Sequence, residues 1–224
     1  ETIGFLTEPT SDFLAIENGL KFQVDFLKGQ KTGFFVDQRE NRALLEKYAL
    51  GRNVLNMFCY TGGFSFYAMR GGANLVHSLD SSAKAIEFTN QNIALNFPND
   101  PRHESFTDDG FKFLDDMPQN KYDLIVLDPP AFAKHRRNLR NALQGYRRLN
   151  AKAIEKIKPG GILFTFSCSQ VVSKRDFRTT LFSASAIAKR EVRILHQLTQ
   201  PADHPINIYH PEGEYLKGLV LYIE

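Results

Sequence analysis

The chain has 224 residues, 42% hydrophobic and 24% charged, which suits one domain with a full core and excludes a disordered polyelectrolyte. No run approaches the roughly 18 apolar residues of a membrane span and the polar start at Glu1 is no signal peptide, so a soluble, cytoplasmic protein with no membrane partner is expected. Net charge is only +3, but Lys134 to Lys158 holds nine Lys or Arg against one acid, Glu155. That excess suits a polyanion such as nucleic acid. The same segment also reads as the solvated face of a helix, because Leu143, Tyr146, Asn150, Ala153, Ile154 and Ile157 fall at helical spacing between the charges.

Two cysteines, Cys59 and Cys168, make no disulfide framework, and six scattered histidines offer no metal-ligand spacing, so no metal is expected. The absence of an initiator Met fits a part of a longer protein.

Residues 1–36 read as a small β-hairpin extension and 37–224 as the main domain. Phe13 to Ile16 and an alternating Leu20 to Leu27 flank the turn signal Asn18-Gly19. Gly29 and Gly33 bracket Q-K-T ahead of Phe34-Phe35-Val36, and Asp37 is placed to cap a helix carrying Leu44, Leu45 and Tyr48. From Asn53 the pattern alternates. Strands are expected at Asn53 to Met57, Leu75 to Leu79, Glu104 to Phe106, Tyr122 to Leu127 and Gly161 to Ser167, with helices at Phe64 to Arg70, Ala83 to Asn96, Gly110 to Met117, Leu139 to Ile157 and Lys174 to Lys189. Val192 to Leu195 and Leu216 to Ile223 add an antiparallel edge. The expected fold is α/β: a mostly parallel seven-stranded sheet covered on both faces, preceded by the hairpin.

Open α/β sheets bind ligands at the carboxyl ends of their strands. After the first strand of the main sheet, Phe58, Cys59, Tyr60, Thr61, Gly62 and Gly63 form a turn whose glycines let backbone amides approach a ligand. Asp80, followed by Ser81, ends the second strand where a carboxylate can hold ribose hydroxyls. Asp108 and Asp109, followed by Gly110, end the third, placed for the exocyclic amine of an adenine. There is neither G-x-G-x-x-G for a dinucleotide nor G-K-[ST] for a nucleoside triphosphate. An adenosine site without a pyrophosphate cradle points to S-adenosylmethionine.

The fourth strand delivers Asp128-Pro129-Pro130, with Pro129 on the cofactor side and Pro130 on the substrate side. Asp-Pro-Pro suits a clamp for a planar amine, yet Ala131 stands where a stacking aromatic is wanted and Phe132 comes one residue later. The fifth strand delivers Cys168 in S-C-S. A thiolate is the side chain best suited to add to carbon 6 of a pyrimidine and so activate carbon 5, with Asp128 holding or protonating N3. Cys59, inside the cofactor turn, suits packing and not attack. Three functions follow: carbon-5 methylation through Cys168, guanine or adenine nitrogen methylation through Asp128, or a non-catalytic RNA-binding module.

The segments K-T-G-F-F-V-D-Q-R (31–39), L-N-M-F-C-Y-T-G-G-F (55–64), L-D-P-P-A-F (127–132), F-S-C-S (166–169), A-D-H-P (202–205) and P-E-G-E-Y-L-K-G (211–218) resemble the bacterial class I methyltransferases that make 5-methylcytosine in large-subunit (23S) ribosomal RNA. The resemblance implies a Rossmann-like catalytic domain, S-adenosylmethionine as cofactor, Cys168 as nucleophile and Phe35, Asp37 and Gln38 around the cofactor. Full-length members usually carry an N-terminal PUA RNA-binding domain, and none is expected within this sequence. The relatives that methylate guanine nitrogen lack the S-C-S cysteine. Ribosomal RNA is then the expected partner, met by Pro130, Phe132, Lys134, Arg136, Arg137, Arg140 and His204. Asp203-His204-Pro205 reads equally as a turn; Lys217 reads as a solvated side chain, with contact to phosphate as its alternative; Arg39 holds either the helix start or the methionine carboxylate. Oligomeric state has no signature here.

Overall fold

The computed structural model describes residues 14–25 and 33–224. Asn18 and Gly19 both take left-handed φ, 48° and 82°, the geometry of a tight hairpin turn, and join strands β1 (Leu14–Glu17) and β2 (Leu20–Gln23). Alternation in β2 sends Leu20 and Phe22 inward, and Phe22 packs on Phe34 and Phe66 at 4.6 and 5.3 Å between ring centroids. Full burial of such a ring is worth roughly 1.5–3 kcal/mol.

The second hairpin strand stops at Gln23, short of the expected Leu27; Phe13, Phe26, Leu27, Gly29 and the Q-K-T segment lie outside the described residues. Pairing ends at the Leu14–Gln23 rung. On its outer edge β2 is received by side chains of helix α3 (Ala83–Asn96) instead of another strand. Asn96 accepts from Lys21 N at 2.8 Å and donates to Lys21 O at 2.7 Å, and Asn92 accepts from Gln23 N at 2.6 Å. A side-chain amide thus copies the pairing of a backbone amide.

A 3₁₀ turn, Val36–Gln38, leads into α1 (Arg39–Tyr48). Asp37 is not its cap: the turn buries the carboxylate, which accepts from the Tyr215 hydroxyl at 2.6 Å.

The remaining elements are β3 (Asn53–Met57), α2 (Gly63–Arg70), β4 (Leu75–Asp80), β5 (His103–Thr107), α4 (Gly110–Asp116), β6 (Leu124–Leu127), α5 (Leu139–Lys156), β7 (Gly161–Ser167), α6 (Lys174–Ala188), β8 (Val192–Leu198) and β9 (Lys217–Ile223). The sheet runs β5-β4-β3-β6-β7-β9-β8, parallel except for β9, which is antiparallel to both neighbours. β6 starts two residues later than expected, where Asp123 turns its carboxylate to the Asn53 amide at 2.7 Å. β8 runs three residues further, because a register shift between Ile194 and His196 interrupts the alternation that marks a strand.

Strand alternation divides the core. Leu124, Val126, Phe164 and Phe166 face α1, α2, α3 and the hairpin; Ile125, Leu127 and Leu163 face α4, α5 and α6. Among the described residues, no helix is long and apolar enough to cross a membrane.

Candidate active site

Parallel pairing of β4, β3, β6 and β7 brings their carboxyl ends to one edge of the sheet, over a cavity of about 390 Å³. One wall is the turn after β3. Phe58, Tyr60 and Gly62 all take left-handed φ, 58°, 49° and 86°. Such strain persists only where neighbours over-determine it. Here Cys59 N donates to Leu79 O at 3.0 Å, Tyr60 N to Asp80 Oδ2 at 3.0 Å, Gly62 N to Cys59 O at 2.8 Å and Thr89 Oγ1 to Tyr60 O at 2.9 Å. The expectation of free glycine amides is corrected for Gly62, whose amide closes the turn; its missing side chain serves packing, since a Cβ would lie 2.8 Å from the Phe66 ring. The amides opening α2, from Gly63 on, have no acceptor inside the helix, as at any helix start.

Phe35, Asp37, Gln38, Phe58, Tyr60, Thr61, Gly63, Asp80, Ser81, Asp128, Pro129, Pro130 and Cys168 line this cavity. Asp108, Asp109 and Gly110 are not on its wall. Asp109 caps α4, accepting from Phe111 N and Lys112 N at 3.0 and 2.9 Å; Asp108 pairs with Lys112 at 3.3 Å; Gly110 packs against the Phe58 ring.

Asp128 and Cys168 leave adjacent strands. Gln38 Nε2 donates to Asp128 Oδ2 at 2.9 Å, and Asn41 Nδ2 donates to Gln38 Oε1 at 2.7 Å, which fixes the orientation of the Gln38 amide. Cys168, half-buried, holds its Sγ 4.0 Å from the Pro129 carbonyl oxygen. Cys59 also lines the cavity but is only 6% exposed, and burial pushes its thiol well above the ordinary range, against any role as nucleophile.

Several neighbours escaped the sequence reading. Arg42, on the cavity wall, is buried against Glu17 of the hairpin through bonds of 2.8 and 2.7 Å, and Tyr67 donates to the same carboxylate at 3.0 Å. Its signal was present: Arg42 precedes Leu45 by one helical turn, on the apolar stripe of α1. Asp25 and Lys84, both on the wall, pair at 2.8 Å. Lys217 is no solvated lysine. Only 5% exposed, it donates to Ser169 O and Tyr215 O at 2.6 and 2.7 Å.

Residues 3–209 match the family described as S-adenosylmethionine-dependent methyltransferase. The chain belongs to that family. It is 44% identical over 215 residues to the "Ribosomal RNA large subunit methyltransferase I" of Tolumonas auensis, covering 95% of this chain and 54% of the relative, and 43% identical to the protein of that name from Aeromonas hydrophila. The chain thus spans about half the length of the curated relatives it matches. Among solved structures, a SAM-dependent methyltransferase from Streptococcus mutans superposes with a TM-score of 0.86 at 25% identity, over 97% of this chain and 57% of that one. A methyltransferase complexed with SAH gives 0.85 at 25% identity, with the same coverage.

The methyltransferase wall fits its cofactor, S-adenosylmethionine. Asp80 stands at the end of β4, and Asp37 keeps one carboxylate oxygen, Oδ1, buried with no hydrogen-bond partner among the described residues, an acceptor suited to a cationic donor. Outside the cavity, Lys134, Arg136, Arg137 and Arg140 are exposed where the chain leaves Pro130 and enters α5. Phe132 turns inward, its ring 4.5 Å from Tyr146 and against Gly145. His204 pairs with Asp203 at 3.0 Å, and Asp203 with Arg39 at 2.6 Å, so Arg39 ties the start of α1 to the A-D-H-P loop.

Proposed function

We propose that this chain is the catalytic part of a large-subunit ribosomal RNA methyltransferase, acting in the cytoplasm, that modifies carbon 5 of a cytosine through a covalent bond to Cys168. The observation that carries this reading is a thiol and a carboxylate, Cys168 and Asp128, at the ends of adjacent strands on one cavity. The names of the relatives support ribosomal RNA as substrate. The inward turn of Phe132, the aromatic of the D-P-P-A-F segment, removes the stacking ring that an amine clamp would use.

S-adenosylmethionine, when bound, supplies an electrophilic methyl group. Asp80 and Ser81 are assigned to its ribose, Asp37 to its amino group, and Phe35, Phe58, Tyr60, Thr61, Gly62, Gly63 and Pro129 to its enclosure. Gln38 aims the Asp128 carboxylate. The Cys168 thiolate bonds to carbon 6 while the ring electrons move to N3, which takes the proton of Asp128 in its neutral carboxylic acid form, leaving the carboxylate. Carbon 5 becomes the nucleophile that accepts the methyl group. Its own proton then leaves to a solvent base, the S–C6 bond breaks, and N3 returns its proton to Asp128. Pro130, Lys134, Arg136, Arg137, Arg140 and His204 are assigned to the RNA around the target base.

The test uses the longest natural form of the protein, labelled S-adenosylmethionine and unmodified ribosomal RNA, comparing wild type with Cys168→Ala. Label in 5-methylcytidine that vanishes with the cysteine is expected. Label on a purine that survives the substitution would overturn the thiolate mechanism, and no label in any nucleoside would favour a binding module.

A further inference from the structure

Lys217 opens β9 directly opposite Ser167, the last residue of β7 before Cys168. A buried ammonium is expensive unless an anion or a full set of acceptors receives it. Lys217 has two acceptors, both backbone carbonyls, for its three N–H groups, and among the described residues no carboxylate lies within ion-pair distance of it. The nearby charges come from three elements. From the end of β7, Cys168 as thiolate favours the ammonium; from the loop before β9, Glu214 favours it; from α6, Lys174 opposes it. Glu214 and Lys174 are already bound to each other. The Tyr215 phenol, donating to Asp37, and the buried Tyr146 hydroxyl on α5 both have raised pKa values and stay neutral near pH 7.

We propose that Lys217 is a positioning residue for Cys168: through Ser169 O it fixes the S-C-S turn, and its charge favours the Cys168 thiolate. This rests on Cys168 as the nucleophile of the proposed reaction. Burial lowers the Lys217 pKa to about 8, which leaves the amine mostly charged at neutral pH. A cation beside a thiol lowers the pH at which the thiolate forms. The charge therefore sits where a thiolate is wanted.

The test is the pH profile of iodoacetamide alkylation at Cys168, read by peptide mass spectrometry with no RNA or cofactor present. It therefore stands or falls separately from the choice of methylated base. Cys59, buried with its thiol held protonated by that burial, serves as a slow internal reference. Lys217→Met and Lys217→Gln are both expected to shift the Cys168 profile to higher pH and slow alkylation at pH 7 about tenfold, the effect of one pH unit of lost thiolate. A profile unchanged in both, or restored to wild type by the uncharged Gln, would overturn the electrostatic role. Because either variant could lose the fold, the coupling is also read in reverse. In Cys168→Ser, which leaves both carbonyl acceptors in place, the Lys217 side-chain NMR titration is expected to move to lower pH; an unmoved midpoint would overturn the proposal.

Discussion

Gly62 and Asp37 show how much of the cavity rests on single positions. At φ 86°, with a Cβ destined for the Phe66 ring at 2.8 Å and the Thr89 methyl at 2.9 Å, Gly62→Ala carries both backbone strain and overlap. A loss of about 1–3 kcal/mol is expected in urea unfolding, together with weaker binding of S-adenosylhomocysteine, because the Phe58–Gly63 turn is the wall itself. Asp37 acts differently. Its buried Oδ1, without a partner among the described residues, makes the carboxylate an acceptor in waiting, so Asp37→Asn is expected to weaken S-adenosylhomocysteine about tenfold in calorimetric titration, the scale of a lost charged hydrogen bond. The turn and the acids Asp80 and Asp128 on the cavity could be read from sequence because each is a local pattern, whereas Asp108 and Asp109 lie off its wall. Asp37's real partner could not: Tyr215 lies 178 residues away, and a single acid before a helix reads first as a cap. Lys217 misled for a related reason, since a lysine near the start of a strand looks solvated until its pairing with Ser167 of β7 and its bond to Ser169 O bury it.

At the scale of elements, the hairpin is tied to the methyltransferase sheet by polar bonds of a kind that hydropathy does not register. Most strands, the Asn-Gly turn and every helix of the main sheet carried their own periodicity, and these were readable; the dock between hairpin and body is made by Glu17, Arg42, Asn92 and Asn96, of which Arg42 alone, on the apolar stripe of α1, has a local signature. Glu17→Ala leaves Arg42 buried, 4% exposed, without its carboxylate, a loss expected at about 3–5 kcal/mol and accompanied by new proteolytic sensitivity around residues 14–25. The β5 edge of the sheet responds to acid. Burial first, then the neighbouring His77, lowers His103 to about 4, and burial lowers His77 as well. In the unfolded chain such a histidine takes its proton near 6.5 while the folded one refuses it until about pH 4, so stability is full above pH 6.5 and falls as pH drops towards 4. Urea midpoints at pH 7.5, 6 and 5 are expected to fall in that order, and His103→Asn is expected to flatten the decline.

For the whole molecule, the question left by the sequence was whether the basic run from Lys134 to Lys158 meets a polyanion or merely covers a helix. The fold divides it. Towards the end of α5, Arg148 and Lys152 pair with Asp115, Lys152 also with Glu155, and Lys156 donates to the carbonyls of Asp115 and Met117, so these cations fasten α5 to α4 and the turn after it. At its start, Lys134, Arg136, Arg137 and Arg140 are exposed, and among the described residues no carboxylate pairs with them. They follow closely on Asp128-Pro129-Pro130, all of which line the cavity beside Cys168. Each phosphate neutralised on a single strand contributes about 0.7 to the slope of log affinity against log salt. If the first group meets the RNA, replacing Arg136, Arg137 and Arg140 together by Ala is expected to lower that slope by about 2 for unmodified ribosomal RNA, with little change in urea stability. Replacing Arg148 and Lys152 is expected to do the reverse, sparing the slope and costing stability, and equal losses of slope from both sets would mean that the bonds to Asp115 give way to phosphate when RNA arrives.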